Sequence, residues 1–347
     1  MSPEQLKTEV LIIGKGVSGL ILQLLLERKG INSILVDKVN SKQNLPLAET
    51  IPPSTLELLY EIDLLSVFEA FSTKTYGYQS KWNNSQISDE NFFLKGKYNN
   101  GLKINKQKII TALEEKSKHI VHAKDITKVA LNEKPNSISI RKLNNKAITI
   151  NSDLIVDATG RKRYILKQAN ISSIEYDKNL AYLCYLPKTG PNLKYGFFTE
   201  SFSNAWGTIS DLNETTRIVS LYTTKENKLY TDFKDYKNWN TLLNETSFLK
   251  YCIPAKGNFK VFGKQANSSI PSKISFQNIL SIGDAAMAFN PISSHGISNA
   301  IYTAKEAAIT IENYMRGNLQ SLKEYQDKMY VIFNEYLKQK EKLFELH

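Results

Sequence analysis

The sequence predicts an α/β fold, because three segments within its first forty residues follow the order strand, helix, strand. Residues 9–13 (EVLII) are a short apolar run rich in β-branched side chains, typical of a strand buried on both faces of a parallel sheet. Residues 20–28 predict a buried helix that is closed by Gly30. Residues 32–37 are a second strand-like run that ends on an acid. Together they predict a βαβ unit with a parallel sheet.

The turn between the first strand and the helix has the pattern G-x-G-x-x-G. Gly14 permits a tight turn, Gly16 lets the backbone approach a pyrophosphate, and Gly19 lets helix and strand pack closely. The helix N-terminus adds free N–H groups for phosphates, and Asp37 stands where a carboxylate binds ribose hydroxyls. Lys15, at a position that is normally small, either adds charge near the pyrophosphate or points into solvent, and solvent is favoured. The turn therefore predicts a dinucleotide site formed by Gly14, Gly16, Val17, Ser18, Gly19, Asp37 and Lys38.

Two distant segments repeat the pattern of an apolar strand that runs into a glycine. Residues 152–160 are SDLIVDATG, and residues 278–286 are NILSIGDAA, followed by MAFNPISSHGISNA up to residue 300. With the glycine turn, these segments resemble the aromatic-hydroxylase (PHBH-like) superfamily of FAD-dependent monooxygenases, whose second flavin fingerprint is Gly-Asp-Ala-Ala…Pro…Gly-x-Gly.

The resemblance implies a role for each matching residue. In that family the Asp of the fingerprint binds a ribityl hydroxyl, the Pro and Gly stretch lies along the isoalloxazine edge, and a helix N-terminus points at the N1–C2=O side. Ser294 and His295 depart from the pattern, which often has a Gly and a small or polar residue there. The implied FAD contacts are Gly160, Gly283, Asp284, Pro291, Gly296 and Ile297.

The fold that this resemblance implies is a Rossmann-like FAD-binding domain of the PHBH/glutathione-reductase type, with an inserted antiparallel β-sheet substrate domain and a C-terminal helix. Period-two patterns at 181–186 and 217–224 agree with antiparallel strands laid over the flavin. Phe197, Phe198, Phe202 and Trp206 either line an aromatic pocket there or simply pack the sheet. The expected boundaries are 1–73, 102–165 and 265–318 for the FAD domain, 74–101 and 166–264 for the substrate domain, and 319–347 for the helix.

A further segment narrows the resemblance to one branch of the superfamily. Residues 48–59 (AETIPPSTLELL) resemble the Gly-Glu-Ser-Leu-Pro-Pro stretch of the tryptophan-halogenase-like subgroup, with Ala48 in place of the usual Gly, and this adds Glu49 to the implied cofactor contacts. Residues 78–82 and 101–105 also resemble stretches of that subgroup. More narrowly, they are similar to the monooxygenases that mature cysteine-tryptophylquinone enzymes by oxidising a tryptophan in a partner polypeptide.

This resemblance implies a chemistry. FAD, reduced by NAD(P)H or by a separate flavin reductase, would react with O2 as co-substrate to give a C4a-hydroperoxide that hydroxylates an electron-rich aromatic. The aromatic would be tryptophan-like or indole-like, either a small molecule or a peptidyl tryptophan in a partner protein. A base near the ring would help, and His295 is the catalytic candidate because it is the histidine of the flavin loop. A loop histidine that bonds backbone near a helix start is the alternative.

Three other functions compete with this one. Flavin-dependent halogenases carry a Lys a few residues before a Trp. By spacing to Trp82 this position falls here on Tyr78, although Lys74 and Lys81 are close. Halogenases also carry a Trp-x-Trp-x-Ile-Pro motif. The chain has only Trp82, Trp206 and Trp239, so the motif is absent and a monooxygenase is favoured over a halogenase. The remaining alternatives are an isoprenoid double-bond reductase and a non-catalytic flavin-binding maturation partner.

Composition excludes several classes of protein. The chain has 45 Lys and Arg against 34 Asp and Glu, a net charge of +11, but the basic residues are scattered. A nucleic-acid binder would more often concentrate them on one element. No apolar stretch is long enough for a membrane span. We expect a cytoplasmic protein without a metal site, in which Cys184 and Cys252 are reduced and partly buried thiols.

Overall fold

The computed structural model describes residues 4–39, 46–82, 86–93, 97–131, 135–202, 205–227 and 232–345. Residues 346 and 347 of the expected C-terminal helix lie outside these ranges. The helices are α1 (Val17–Arg28), α2 (Pro53–Glu61), α3 (Leu65–Glu69), α4 (Lys106–Lys116), α5 (Tyr164–Gln168), α6 (Tyr236–Leu243), α7 (Gly296–Met315) and α8 (Ser321–Glu345). The strands are β1 (Glu4–Ile13), β2 (Ser33–Lys38), β3 (Thr50–Ile51), β4 (Ser72–Thr75), β5 (Gly77–Lys81), β6 (Ser88–Asn91), β7 (Gly101–Ile104), β8 (Ile120–Ala130), β9 (Asn136–Lys142), β10 (Ala147–Asp157), β11 (Ser173–Glu175), β12 (Leu180–Pro187), β13 (Phe197–Phe202), β14 (Ala205–Asp211), β15 (Thr216–Thr223), β16 (Val261–Gln265), β17 (Ser269–Pro271), β18 (Ser275–Phe276) and β19 (Ile279–Ser281).

The first sheet has a parallel centre, as the βαβ pattern predicts. Strands β8, β2, β1, β10 and β19 lie side by side and run in the same direction. Strand β18 adds an antiparallel edge, and β9 pairs antiparallel with β8 and β10. Strand β1 ends at Ile13, opposite Asp157 at the end of β10. The loops that follow these strands therefore meet at the carboxyl edge of the sheet, where open α/β sheets bind ligands.

Apolar cores cover both faces of this sheet. On one face, α1 and α7 pack against the strands through side chains such as Leu20, Ile21 and Ile301, which are fully buried. The other face is covered by α5 and by the long antiparallel strands. Helix α8 adds Met329 and Phe333 to the first core. Burial on both faces explains why the strand sequences are continuously apolar rather than alternating.

The second sheet has the order β16, β12, β15, β14, β13, β5, β6. Its pairs are antiparallel except for β13 with β5. Trp239 of α6 is buried on its outer face. Its inner face meets the first domain, because the Tyr185 hydroxyl donates to the Pro46 carbonyl at 2.6 Å and the Ser210 hydroxyl to the Ala48 carbonyl at 3.2 Å. The expected Rossmann-like domain with an inserted, mainly antiparallel sheet and a C-terminal helix is thus confirmed.

Smaller features complete the fold. Strands β3, β7 and β4 form a small antiparallel sheet, and β11 pairs with β17. Within the described ranges, no helix combines the length and the apolar character needed to cross a lipid bilayer. Cys184 and Cys252 are free thiols and both are buried.

Candidate active site

The glycine turn has the geometry that its sequence predicts. Gly14 has φ 114°, and a Cβ at this position would lie 2.5 Å from the Ala158 carbonyl oxygen. A Cβ at Gly19 would overlap the Gly14 carbonyl. A Cβ at Gly16 would meet no atom within 4 Å, and Gly16 borders a large cavity. Helix α1 begins directly after Gly16 without a side-chain cap. The turn therefore presents open space and free N–H groups, which suit a bound phosphate.

The expectation that Lys15 points into solvent was wrong, because its side chain turns inward. Its Nζ lies 2.5 Å from Glu114 Oε1 and 3.9 Å from Asp37 Oδ2, and only 17% of the side chain is exposed. Burial raises the pKa of Asp37, and the Lys15 ammonium opposes this shift. Sequence alone does not reveal Glu114 as the partner, because α4 is distant in the chain. Lys15 thus stabilises the ionised Asp37 at the end of β2.

The cavity has a volume of about 1120 Å³ and extends from the glycine turn to the inner side of the second sheet. Asp37, Lys38, Glu49 and Gly160 border it, together with Leu183 of the second sheet. The lysines on its wall are Lys15, Lys38, Lys103, Lys106, Lys108, Lys162 and Lys264. Among the described residues these outnumber Asp37 and Glu49, the carboxylates on the wall, so the cavity favours an anionic ligand such as a dinucleotide diphosphate.

The structure brings the second predicted fingerprint against the first. The Gly283 N–H donates to Thr303 Oγ1 at 2.8 Å, and this bond fixes the turn after β19. A Cβ at Gly283, where φ is 58°, would lie 2.8 Å from Ser18 Oγ in the first turn of α1. Asp284 follows, close to Gly160 at the end of β10. Segments near residues 14, 160 and 284 therefore lie next to one another.

Arg161 is a site residue that the sequence reading missed. Its Nε lies 3.5 Å from Asp284 Oδ2, and its Nη2 donates to the Phe289 carbonyl at 2.6 Å. The Asp284 side chain remains 37% accessible. Burial raises the pKa of Asp284, while Arg161, Lys106 and Arg163 oppose the shift. An arginine directly after the Ala-Thr-Gly segment was the available signal. Part of the Asp284 carboxylate therefore remains free to accept a hydrogen bond from a ligand hydroxyl.

Glu49 carries an unsatisfied oxygen at the cavity wall. Its Oε1 lies 3.1 Å from Lys106 Nζ, whereas its Oε2 is buried without a hydrogen-bond partner among the described residues. Buried carboxylate oxygens without partners are costly. Lys106 was missed as well, although it directly follows the 101–105 stretch. A bound ligand that donates a hydrogen bond to Glu49 would satisfy this oxygen.

The loop at residues 287–295 leads into α7, whose N-terminus has no side-chain cap. Pro291–Ser293 form a single turn, and Ser294 then adopts φ 53°, a left-handed conformation that glycine adopts more readily than serine. His295 precedes α7 and makes no side-chain cap bond. A Cβ at Gly296 would meet no atom within 4 Å, whereas Ile297 is buried.

The structure agrees with both interpretations of His295, which are a catalytic base and a loop histidine that bonds the backbone near a helix start. It is exposed by surface area, yet neighbouring protein desolvates the ring and lowers the pKa of His295, with a contact to the Ser293 backbone opposing the shift. A neutral imidazole is available as a base near pH 7. The backbone contact matches the alternative of a loop histidine that stabilises a helix start.

The inner face of the second sheet carries aromatic side chains. Trp206 stacks on Tyr222 with ring centroids 3.7 Å apart, and its indole N–H is buried without a partner among the described residues. Phe197 contacts Tyr78 on the same face. Phe198 and Phe202 instead pack in the outer core. Phe197 and Trp206 therefore lie on the inner face, but none of the four proposed pocket aromatics borders the cavity, which agrees with ordinary packing of the sheet.

Comparison with known proteins decides the family. The FAD binding domain family matches residues 7–330. The chain belongs to this FAD-binding family. LodB of Marinomonas mediterranea, named as an FAD-dependent oxidoreductase, is 23% identical over 199 residues, which are 57% of this chain and 53% of LodB. The chain thus spans about half the length of the curated relative that it matches.

Solved structures of FAD-binding proteins share the fold. The flavin-dependent halogenase CmlS has a TM-score of 0.81 at 17% identity, over 97% of this chain and 63% of CmlS. QhpG, a peptidyl tryptophan dihydroxylase essential for tryptophylquinone cofactor biogenesis, has a TM-score of 0.75 at 15% identity, over 96% of this chain and 73% of QhpG. The resemblance to the aromatic-hydroxylase superfamily is confirmed. FAD also fits the site, because Gly16 faces open space and Glu49 offers an unpaired acceptor.

Proposed function

We propose that this chain is an FAD-dependent monooxygenase that hydroxylates an electron-rich aromatic of the tryptophan or indole type. The observation that carries the proposal is the cavity, which extends from the glycine turn to the inserted sheet near Leu183 and Leu212. A cavity of this extent supports the proposal because it offers room for a cofactor and an aromatic substrate between the same two layers. The fold shared with QhpG, a dihydroxylase of peptidyl tryptophan, supports a tryptophan in a partner polypeptide as the substrate.

The chain's own residues divide the binding of FAD among them. Gly14, Gly16 and Gly19, with the N-terminus of α1 at Val17 and Ser18, would hold the diphosphate. Asp37 and the neighbouring Lys38 would hold the adenosine ribose, and Asp284 a ribityl hydroxyl. Glu49, Gly160, Gly283, Pro291, Gly296 and Ile297 would border the rest of the cofactor. Reduced FAD supplies the chemistry that activates O2, so that one oxygen atom enters the ring and the other leaves as water.

The protein's further task is to hold the aromatic ring in place and keep water out. The inserted sheet covers the cavity and contacts the 46–49 segment through Tyr185 and Ser210. Exclusion of water protects a reactive cofactor state, and a fixed ring orientation lowers the barrier. His295 would accept the proton of an indole N–H or a phenol O–H. NAD(P)H or a separate flavin reductase would supply the two electrons.

Two experiments test this proposal. Purified protein should be yellow, and denaturation should release FAD; a colourless protein that binds no FAD on titration would contradict it. FAD-loaded protein, reduced in the presence of tryptophan or of tryptophan-containing peptides, should then incorporate one labelled atom from isotopic O2. Mass spectrometry of the products measures this, and consumption of O2 that yields only hydrogen peroxide with every substrate would argue against the oxygenase.

Halogenation is the second candidate function, and one observation favours it. The cavity contains a half-buried lysine, Lys103, and lysine is the residue type that relays hypohalous acid in halogenases. Tyr78, which occupies the expected lysine position by sequence, packs among Phe92 and Phe197 instead. A chlorinated or brominated product that requires added halide would select the halogenase.

A further inference from the structure

Lys103 lies at the cavity wall between the two sheets. It stands in β7 between Leu102 and Ile104, both of which are buried in the first core. Because side chains alternate along a strand, Lys103 points away from that core and toward the second sheet. Its Nζ donates to the Gly196 carbonyl oxygen at 3.1 Å. The ammonium group therefore lies at the junction of the inserted sheet with the cavity.

The charges around Lys103 do not balance. Asp211 is its nearby carboxylate, but Asp211 Oδ2 lies 2.9 Å from Lys188 Nζ and Asp211 Oδ1 lies 3.1 Å from Arg217 Nη2. Desolvation lowers the pKa of Lys103 to about 8, Asp211 opposes this, and Lys188 and Arg217 reinforce it. Three cations thus share one carboxylate when Lys103 is protonated. An added anion would relieve this excess of partly buried positive charge.

The hydrogen bonds of Lys103 are also incomplete. The Gly196 carbonyl already accepts the Asp211 N–H at 3.0 Å and the Ser210 hydroxyl at 3.3 Å. Among the described residues, Lys103 Nζ donates to no other acceptor. An ammonium group has three N–H donors. Two of them therefore remain for water or for a ligand in the cavity.

We propose that Lys103 binds a carboxylate of the substrate, so that the substrate is an aromatic acid. The carboxylate belongs either to a free aryl acid or to an acidic side chain beside the target ring in a polypeptide. This inference rests on the proposed function, since it treats the sheet side of the cavity as the substrate site. The FAD diphosphate has its own site at the glycine turn, while Leu183 and Leu212 offer apolar contacts on the sheet side.

Binding to FAD-loaded protein tests the assignment without turnover. Indole-3-acetate and its neutral counterpart indole-3-acetamide are titrated while the visible spectrum of bound flavin is followed. Wild type should bind the acetate at least about 10-fold more tightly, as expected for a hydrogen-bonded charge pair. The preference should vanish in Lys103→Met, persist in Lys103→Arg, and decline as the pH rises past the Lys103 pKa of about 8. Blocked Glu-Trp and Gln-Trp dipeptides, compared in the same way, distinguish a peptide carboxylate from a free acid.

The control is Lys237→Met, which removes the same charge from α6 on the outer face of the second sheet and should keep the full preference. The inference is overturned if wild type and Lys103→Met prefer the acid over its amide equally. It is also overturned if wild type binds indole-3-acetate and Glu-Trp no more tightly than their amides. A 10-fold loss of FAD affinity in Lys103→Met would assign the residue to the cofactor instead, and a halogenated product that requires Lys103 would assign it to halogen transfer. If the preference for the carboxylate ligand depends on Lys103 but no product incorporates oxygen, the carboxylate site is supported and the proposed oxygenase is refuted.

Discussion

Gly16→Ala should separate cofactor binding from folding. Gly16 has extended backbone, with φ −86° and ψ −179°, and its Cβ would meet no atom within 4 Å. Alanine is a poorer N-cap than glycine, but it also reduces the entropy of the unfolded chain, so the apoprotein should change by only about 0.5 kcal/mol. The new methyl group would occupy the space through which a pyrophosphate approaches. We expect FAD affinity to fall at least about 10-fold, or about 1.4 kcal/mol.

Thermal denaturation with and without FAD measures both effects. At an FAD concentration about 100 times the wild-type Kd, binding adds about 2.7 kcal/mol to stability, and a tenfold weaker Kd removes about 1.3 kcal/mol of this. Gly14→Ala is the matched control, because its φ of 114° and the 2.5 Å approach to Ala158 strain the fold itself. That variant should lose about 2–4 kcal/mol and roughly 3–6 °C without FAD. A Gly16→Ala protein with wild-type FAD affinity would refute the placement of the diphosphate.

The remaining predictions concern charged and nucleophilic groups. Asp284→Ala should weaken FAD binding about 10-fold, because a ribityl contact is lost and Arg161 is left without its carboxylate; unchanged affinity in a fluorescence titration removes that role. Because the pKa of Lys103 is lowered to about 8, the charged side chain destabilises the folded wild type at low pH. This destabilisation disappears as the pH rises toward 10.5, the ordinary lysine pKa. Lys103→Met should therefore melt above wild type at pH 7 and lose this advantage by about pH 10. Burial raises the pKa of Cys184 to about 12 and that of Cys252 to about 11, so neither should react with a thiol reagent at pH 8 until the protein unfolds; rapid labelling of the native protein would contradict their burial.

Much of the first domain was predictable because its signals are local. The glycine turn determines where β1 ends and α1 begins, and the predicted strand at 32–37 corresponds to Ser33–Lys38. The period-two pattern at 181–186 falls within β12, and the one at 217–224 matches β15 except for its last residue. Each of these signals depends on neighbouring residues, and the long-range contacts reinforce rather than override them.

The parts that sequence did not predict depend on contacts between distant segments. Lys15 turns inward because Glu114 of α4 lies beside it, which no local pattern reveals. Arg161 had its position after the Ala-Thr-Gly segment as a local signal, but its contact with Asp284, like that of Lys106 with Glu49, joins segments that are distant in the sequence. Phe197 and Phe198 point to opposite faces of the second sheet because side chains alternate along a strand. The register decides which of them points inward, and a one-residue shift would exchange them.

Neighbouring strands of the first sheet come from distant parts of the chain, and this affects how the protein folds. Strand β1 pairs with β10, and β10 pairs with β19, whose residues are synthesised about 270 positions after β1. At about 5–20 residues per second, a ribosome needs roughly 15–50 s to make that stretch. The glycine turn therefore emerges long before the segment that completes its pocket. The inserted sheet, whose strands lie mostly between residues 180 and 265, can form first, and the cofactor pocket matures late in translation.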